Sequence, residues 1–157
     1  MKPQFIHRIF DHEGKTVVSF NPKPVRRVIG SSVTDSVTKM LVSVVSDEGT
    51  ARRARIEGFD IAGKTGTTKK IIEGQYSNRH HVASFVGFFP AEDPRIVITV
   101  VVDEPKMKAG STGYGGTVAA PAFQRVGRGI IAYLGLKPKP SQEKTLARGS
   151  GRNRSAL

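Results

Sequence analysis

The sequence predicts an α+β fold in which an antiparallel sheet carries a long C-terminal helix packed on it. Three observations point there. Residues 80–89 and 95–103 are two β-rich runs joined by Pro90-Ala91-Glu92-Asp93-Pro94, a hairpin with a five-residue connection. Val118, Ala119, Ala122, Phe123, Val126, Ile130, Tyr133 and Leu134 recur at helical spacing and form the stripe by which a second helix is expected to pack. Asp60-Ile61-Ala62-Gly63-Lys64-Thr65-Gly66-Thr67 combines small and β-branched residues with two glycines, the pattern of a strand that something else must approach closely.

The remaining elements follow in chain order. Phe5-Ile6-His7-Arg8-Ile9-Phe10 and Thr16-Val17-Val18-Ser19-Phe20 flank a glycine-containing turn, a small hairpin ended by Pro22 and Pro24. Val33, Val37, Met40, Leu41, Val44 and Val45 mark one face of an amphipathic helix, with Ser32 or Asp35 placed to cap it and Gly49 to stop it. Residues 69–78 are polar and read as a loop. In the strand after Pro94, Ile96, Ile98, Val100 and Val102 line one face and Val97, Thr99 and Val101 the other, so cover is expected on both sides. Gly110, Gly113, Gly115 and Gly116 match no phosphate-binding pattern and read as a flexible turn before the last helix. Pro138 and Pro140 stop that helix, and residues 141–157 hold almost no apolar side chain to offset ordering entropy. The organisation expected is one domain over residues 1–137 and a basic, disordered tail over 138–157.

At 157 residues, 38% hydrophobic and 24% charged, the chain is globular in composition and the size of one domain. Zero Cys excludes a disulfide scaffold and a thiolate nucleophile. The longest apolar run, residues 96–102, is far short of the ~20 residues that cross a bilayer. Residues 1–8 have neither the apolar region nor the cleavage site of an export signal. The net charge of +12 favours polyanionic partners, but the last stretch carries Lys137, Lys139, Lys144, Arg148, Arg152 and Arg154 against Glu143 alone. A basic module for nucleic acid or a wall polymer is the competing class. With three Tyr and no Trp it lacks stacking platforms, so nucleic acid is not the expected partner.

Lys64-Thr65-Gly66-Thr67 carries the chemistry. A cationic ammonium beside two hydroxyls suits an anionic acyl donor, and Gly66 lets a ligand's backbone reach the strand. This K-T-G element, with Gly49-Thr50-Ala51, residues 83–90, Asp93-Pro94, Asp103-Glu104-Pro105 and residues 114–123 in the same order, resembles the C-terminal part of a class B penicillin-binding protein, a division-type D,D-transpeptidase, over residues 5–136. The resemblance implies a partial penicillin-binding-protein or β-lactamase-like transpeptidase fold and peptidoglycan cross-linking by serine acyl transfer. It implies that Lys64 tunes proton transfer through the serine of a Ser-x-Asn element, that Thr65 and Thr67 hold the terminal carboxylate of a stem peptide, and that the Thr67 N–H is an oxyanion donor. It also implies no cofactor and no metal, a stem peptide or β-lactam as ligand, and a position at the outer face of the cytoplasmic membrane. A membrane glycosyltransferase, division proteins and the rest of the domain would be the partners.

The nucleophile is the missing part. Ser36-Val37-Thr38-Lys39 and Ser141-Gln142-Glu143-Lys144 fit Ser-x-x-Lys, but Ser36 lies only 28 residues before Lys64 and Ser141 lies after it. Ser19-Phe20-Asn21 fits Ser-x-Asn but precedes Ser36, the reverse of the family order. All three are rejected, so the chain is expected to be a fragment that is inactive alone. His80 and His81 are adjacent and point to opposite faces of a strand, which argues against shared metal binding.

Overall fold

A computed structural model describes residues 1–106 and 113–139, and its backbone divides into two units, Met1–Asp35 and Ser36–Leu157. In the first unit, β1 (Arg8–Phe10) and β2 (Thr16–Ser19) pair antiparallel, with Arg8 opposite Ser19 and Ile9 opposite Val18. The Asp11 carboxylate accepts the Glu13 and Lys15 amides at 3.0 and 2.8 Å and closes the turn. The expected hairpin forms, with all seven strand residues exposed.

The division between units falls within α1 (Ser31–Ser43). The helix starts at Ser31, so Ser32 and Asp35 sit inside its first turns rather than at a cap, and the Thr34 hydroxyl donates back to the Gly30 carbonyl at 2.8 Å. None of its residues is buried, and Val33, Val37 and Met40 of the expected apolar stripe are exposed.

The second unit is built on a three-stranded antiparallel sheet in the order β3-β4-β5, with β3 Ala62–Ile72, β4 Gln75–Phe89 and β5 Ile96–Asp103. The loop expected over residues 69–78 is instead the end of a β-ribbon. Glu73 and Gly74, at φ 51° and 77°, form a two-residue turn between Ile72 and Gln75, the mirror-image geometry that suits the twist of paired strands. Polarity there reflects a ribbon wet on both faces, held by cross-strand pairs such as Lys69 to the Asn78 amide oxygen at 2.7 Å.

One face of the sheet packs on α2 (Gly115–Leu134). Phe85 and Phe89 from β4 meet Phe123 edge to face, with ring centres 4.9 and 6.0 Å apart, and Ile98 and Val100 from β5 pack against this cluster. The helix is rotated relative to the expected stripe. Ala119, Ala120, Phe123 and Gly127 are buried while Val126, Tyr133 and Leu134 are exposed, because small side chains let the helix lie close on the sheet. The opposite face carries Val86, Val97 and Val101 at 44, 70 and 61% exposure, so β5 is covered on one side only and not on both.

After α2, Gly135 adopts the left-handed conformation and the Leu136 amide donates to the Ile131 carbonyl at 3.1 Å. Lys139 then reaches Gly58 through its backbone N–H at 2.8 Å and Asp60 and Glu92 through its ammonium at 2.6 and 2.9 Å. Residues 140–157, which include Ser141 and most of the expected tail, lie outside the described residues. Among the described residues no helix is long and apolar enough to cross a membrane.

An ionic cluster ties the ribbon to the end of β5. Lys70 Nζ lies 2.7 Å from Asp103 and 2.8 Å from Glu104, and His80 Nδ1 lies 3.2 Å from Glu104. Hydrogen bonding to Asp103 and then Glu104 raises the Lys70 pKa. The hydrogen bond from Lys70, followed by its charge, holds the Glu104 carboxyl below the usual carboxylate range. The Glu104 contribution to stability is therefore present above the ordinary carboxylate pKa and lost as pH falls through the lowered one. The Lys70 contribution is present below the ordinary lysine pKa and lost as pH rises through the raised one. The melting-temperature difference between wild type and Lys70→Met is expected to be constant between those ranges and to vanish in acid. A difference that persisted in acid would show that the lysine acts by packing.

Candidate active site

Strand β3 presents its motif on two faces. Thr65 and Thr67 pair in register with Phe85 and Ala83 and lie on the α2 side, whereas Lys64 and Gly66 pair with Val86 and Ser84 and lie on the open side. The two threonines line a cavity of about 650 Å³ together with Thr50, Arg52, Arg53 and the first turn of α2. That is the size of a small-ligand site. Thr50 Oγ1 and Thr65 Oγ1 are 3.2 Å apart, and the Gly115 amide donates to Thr67 Oγ1 at 3.3 Å.

Gly115 and Gly116 were expected in a flexible turn and instead open α2. A Cβ on Gly115 would overlap the Ser84 carbonyl, and one on Gly116 would overlap the Thr50 carbonyl. The helix therefore meets β4 and the Thr50 loop backbone to backbone, which sets where the cavity wall stands. Gly113 precedes it with its carbonyl 3.0 Å from His81 Nε2, and Gly110 lies outside the described residues.

The lining also includes Arg52 and Arg53 of the 3-10 turn Arg52–Ala54. Ala51 and Ala54 are fully buried, three apart on the packed side of a tight turn, which leaves Arg52 and Arg53 directed outward. The Arg53 guanidinium donates to the Thr117 carbonyl at 3.4 Å. Asp47, the acidic residue of the lining, is taken up by Arg55 at 2.6 Å, and Arg55 also donates to the Val45 carbonyl at 3.0 Å.

A family model for the penicillin-binding protein transpeptidase domain matches residues 1–127. The chain belongs to the penicillin-binding protein transpeptidase family. It is 42% identical over 128 residues to stage V sporulation protein D of Bacillus subtilis, covering 82% of this chain and 19% of that one. It is 37% identical over 118 residues to the peptidoglycan D,D-transpeptidase FtsI of Escherichia coli, covering 74% of this chain and 19% of that one. Among solved structures it is similar to penicillin-binding protein 3 of Mycobacterium tuberculosis complexed with ampicillin. The TM-score there is 0.72 at 27% identity, covering 87% of this chain and 31% of the other. The chain thus spans about one fifth of the length of the first two relatives. The resemblance to class B penicillin-binding proteins is borne out, as are the mixed α and β architecture and the C-terminal helix on the sheet.

In this transpeptidase-family chain the motif residues stand apart. Thr65 and Thr67 converge on the cavity, but Lys64 does not line it; its ammonium lies over the open face and donates to the Thr65 carbonyl at 3.2 Å. Gly66 faces Ser84, where a Cβ would meet the serine hydroxyl, a side-chain end that can turn away. Ser36, on α1, is not among the cavity residues, and Ser19 and Asn21 belong to the first unit. His80 and His81 engage separate partners, Glu104 and Gly113. Sequence reasoning gave no role to Thr50, Arg52, Arg53 or Thr117. The available signal was the pair of arginines between Ala51 and Ala54.

Proposed function

We propose that the chain forms the carboxylate-holding wall of a serine D,D-transpeptidase that cross-links peptidoglycan stem peptides and is acylated by β-lactams at the outer face of the cytoplasmic membrane. The observation that carries this reading is the convergence of the Thr50, Thr65 and Thr67 hydroxyls on one cavity on the α2 side of β3. The Thr65 and Thr67 hydroxyls donate hydrogen bonds to the ligand's terminal carboxylate. The Thr67 N–H polarises the scissile carbonyl, and Lys64, from the open face, passes a proton through a Ser-x-Asn serine. That serine and the nucleophile belong to the rest of the domain. The nucleophile's Oγ attacks the carbonyl, the terminal residue leaves with a proton, and an acceptor amine then displaces the serine from the acyl-enzyme.

Incubated alone with a fluorescent penicillin, the 157-residue chain is expected to retain no label after denaturation. Supplied with a polypeptide bearing the Ser-x-x-Lys and Ser-x-Asn elements of a class B relative, the mixture is expected to label on that polypeptide. Lys64→Ala is then expected to slow labelling about 10²- to 10⁴-fold. A labelled band from the chain alone that disappears in Ser36→Ala would overturn the rejection of Ser36. Labelling indifferent to Lys64→Ala and Thr67→Val would overturn the roles given to β3.

A further inference from the structure

The cavity holds more positive charge than one carboxylate needs. Its acidic residue, Asp47, is paired with Arg55, which leaves Arg52 and Arg53 as the uncompensated charges of the lining. Arg53 is braced against α2 by its bond to the Thr117 carbonyl. Arg52 has no ion pair among the described residues. Neither guanidinium is required to hold the turn. Its shape is set by the buried Ala51 and Ala54, by the Ala51 amide on the Val44 carbonyl at 2.9 Å and by the Ala54 amide on the Ala51 carbonyl at 2.8 Å. Arg125 and Arg128 are also exposed, but they sit outside this cavity, whereas Arg52 and Arg53 line it with Thr65 and Thr67.

A guanidinium offers a planar fork that matches a carboxylate in two parallel hydrogen bonds. We propose that Arg52, with Arg53 beside it, forms a second carboxylate subsite that selects peptides carrying a free acidic side chain shortly before the terminus. This rests on the reading of Thr65 and Thr67 as the holders of the terminal carboxylate, and it adds a specificity determinant to that site. The two walls divide the task. The hydroxyls of β3 recognise what every donor peptide shares, and the arginine turn distinguishes donors whose preceding residue is a carboxylate from those in which it is an amide.

Matched fluorescent tripeptides test this: acetyl-Glu-D-Ala-D-Ala and acetyl-Gln-D-Ala-D-Ala, titrated with the full chain at physiological salt so that diffuse attraction to a basic protein is screened. The Glu peptide is expected to bind about tenfold more tightly than the Gln peptide, the size of one charge-assisted pair. Arg52→Gln is expected to erase that preference without changing the affinity for the Gln peptide. Arg52→Lys is expected to restore part of it, and Thr67→Val to weaken both peptides alike. Equal binding of the two peptides to wild type, with both weakened by Thr67→Val, would overturn the arginine subsite and leave the β3 reading intact. Binding of neither peptide, or binding indifferent to Thr67→Val, would overturn the β3 reading and the subsite with it. Because Arg52 is exposed, a circular dichroism spectrum matching wild type is expected for Arg52→Gln, so that a lost preference reports on the guanidinium.

Discussion

Phe123→Ala is expected to abolish the cooperative unfolding transition of the second unit. Phe123 is fully buried and meets both large core rings of β4, Phe85 at 4.9 Å and Phe89 at 6.0 Å between centres. It is therefore the main attachment of helix to sheet. Truncating a buried Phe to Ala costs about 3–5 kcal/mol, because the lost burial is compounded by the cavity left behind. A domain of this size has about 5–15 kcal/mol in all. The second face of the sheet, where Val97 and Val101 are largely exposed to water, adds little, so the margin sits at the low end. The measurement is a thermal melt followed by circular dichroism. A sigmoidal transition displaced by only a few degrees would show that the sheet holds together without the aromatic cluster.

The second large effect is self-association. Val86, Val97 and Val101 are exposed around Thr99 on the open side of the sheet, and β5 has no partner on its outer edge among the described residues. An unpaired strand edge beside an uncovered apolar face is a template for another chain. Full burial of such a side chain is worth ~1.5–3 kcal/mol, so covering the exposed parts of these valines, together with hydrogen bonding along the open strand edge, favours association. Sedimentation of the 157-residue chain is expected to show oligomers or aggregates. Val97→Lys combined with Val101→Lys should shift the distribution strongly toward monomer without loss of helix or strand signal. A compact wild-type monomer that binds no apolar-surface dye would sink the idea.

What could be read from the residues and what could not divides along a physical line. A run of β-branched residues located the strand expected over 95–103, and helical period located the last helix, which buries one face against the sheet. It misplaced the contact stripe of that helix, because period reports where apolar residues lie while the packed face was chosen for small size at Ala119, Ala120 and Gly127. It missed the β-ribbon at Lys69 to Asn78, where neither face is dry and the only cue was the turn at Glu73-Gly74. At the site, Thr65 and Thr67 were legible because one short motif carries them. Arg52, Arg53 and Thr117 were not, because they meet through tertiary packing across 64 residues of chain.

The glycine contacts that seat α2 on the sheet have a bearing on how such a site diversifies. Where Gly115 and Gly116 press main chain against main chain, there is no side chain to exchange, and any substitution displaces the wall itself. The floor of the cavity is thus closed to gradual variation. The arginine turn is the reverse: Ala51 and Ala54 supply the anchor, and the two positions between them can change identity at little cost to the fold. New ligand preferences in this lineage would therefore arise by drift at residues 52 and 53, while the wall seated by the two glycines stays fixed.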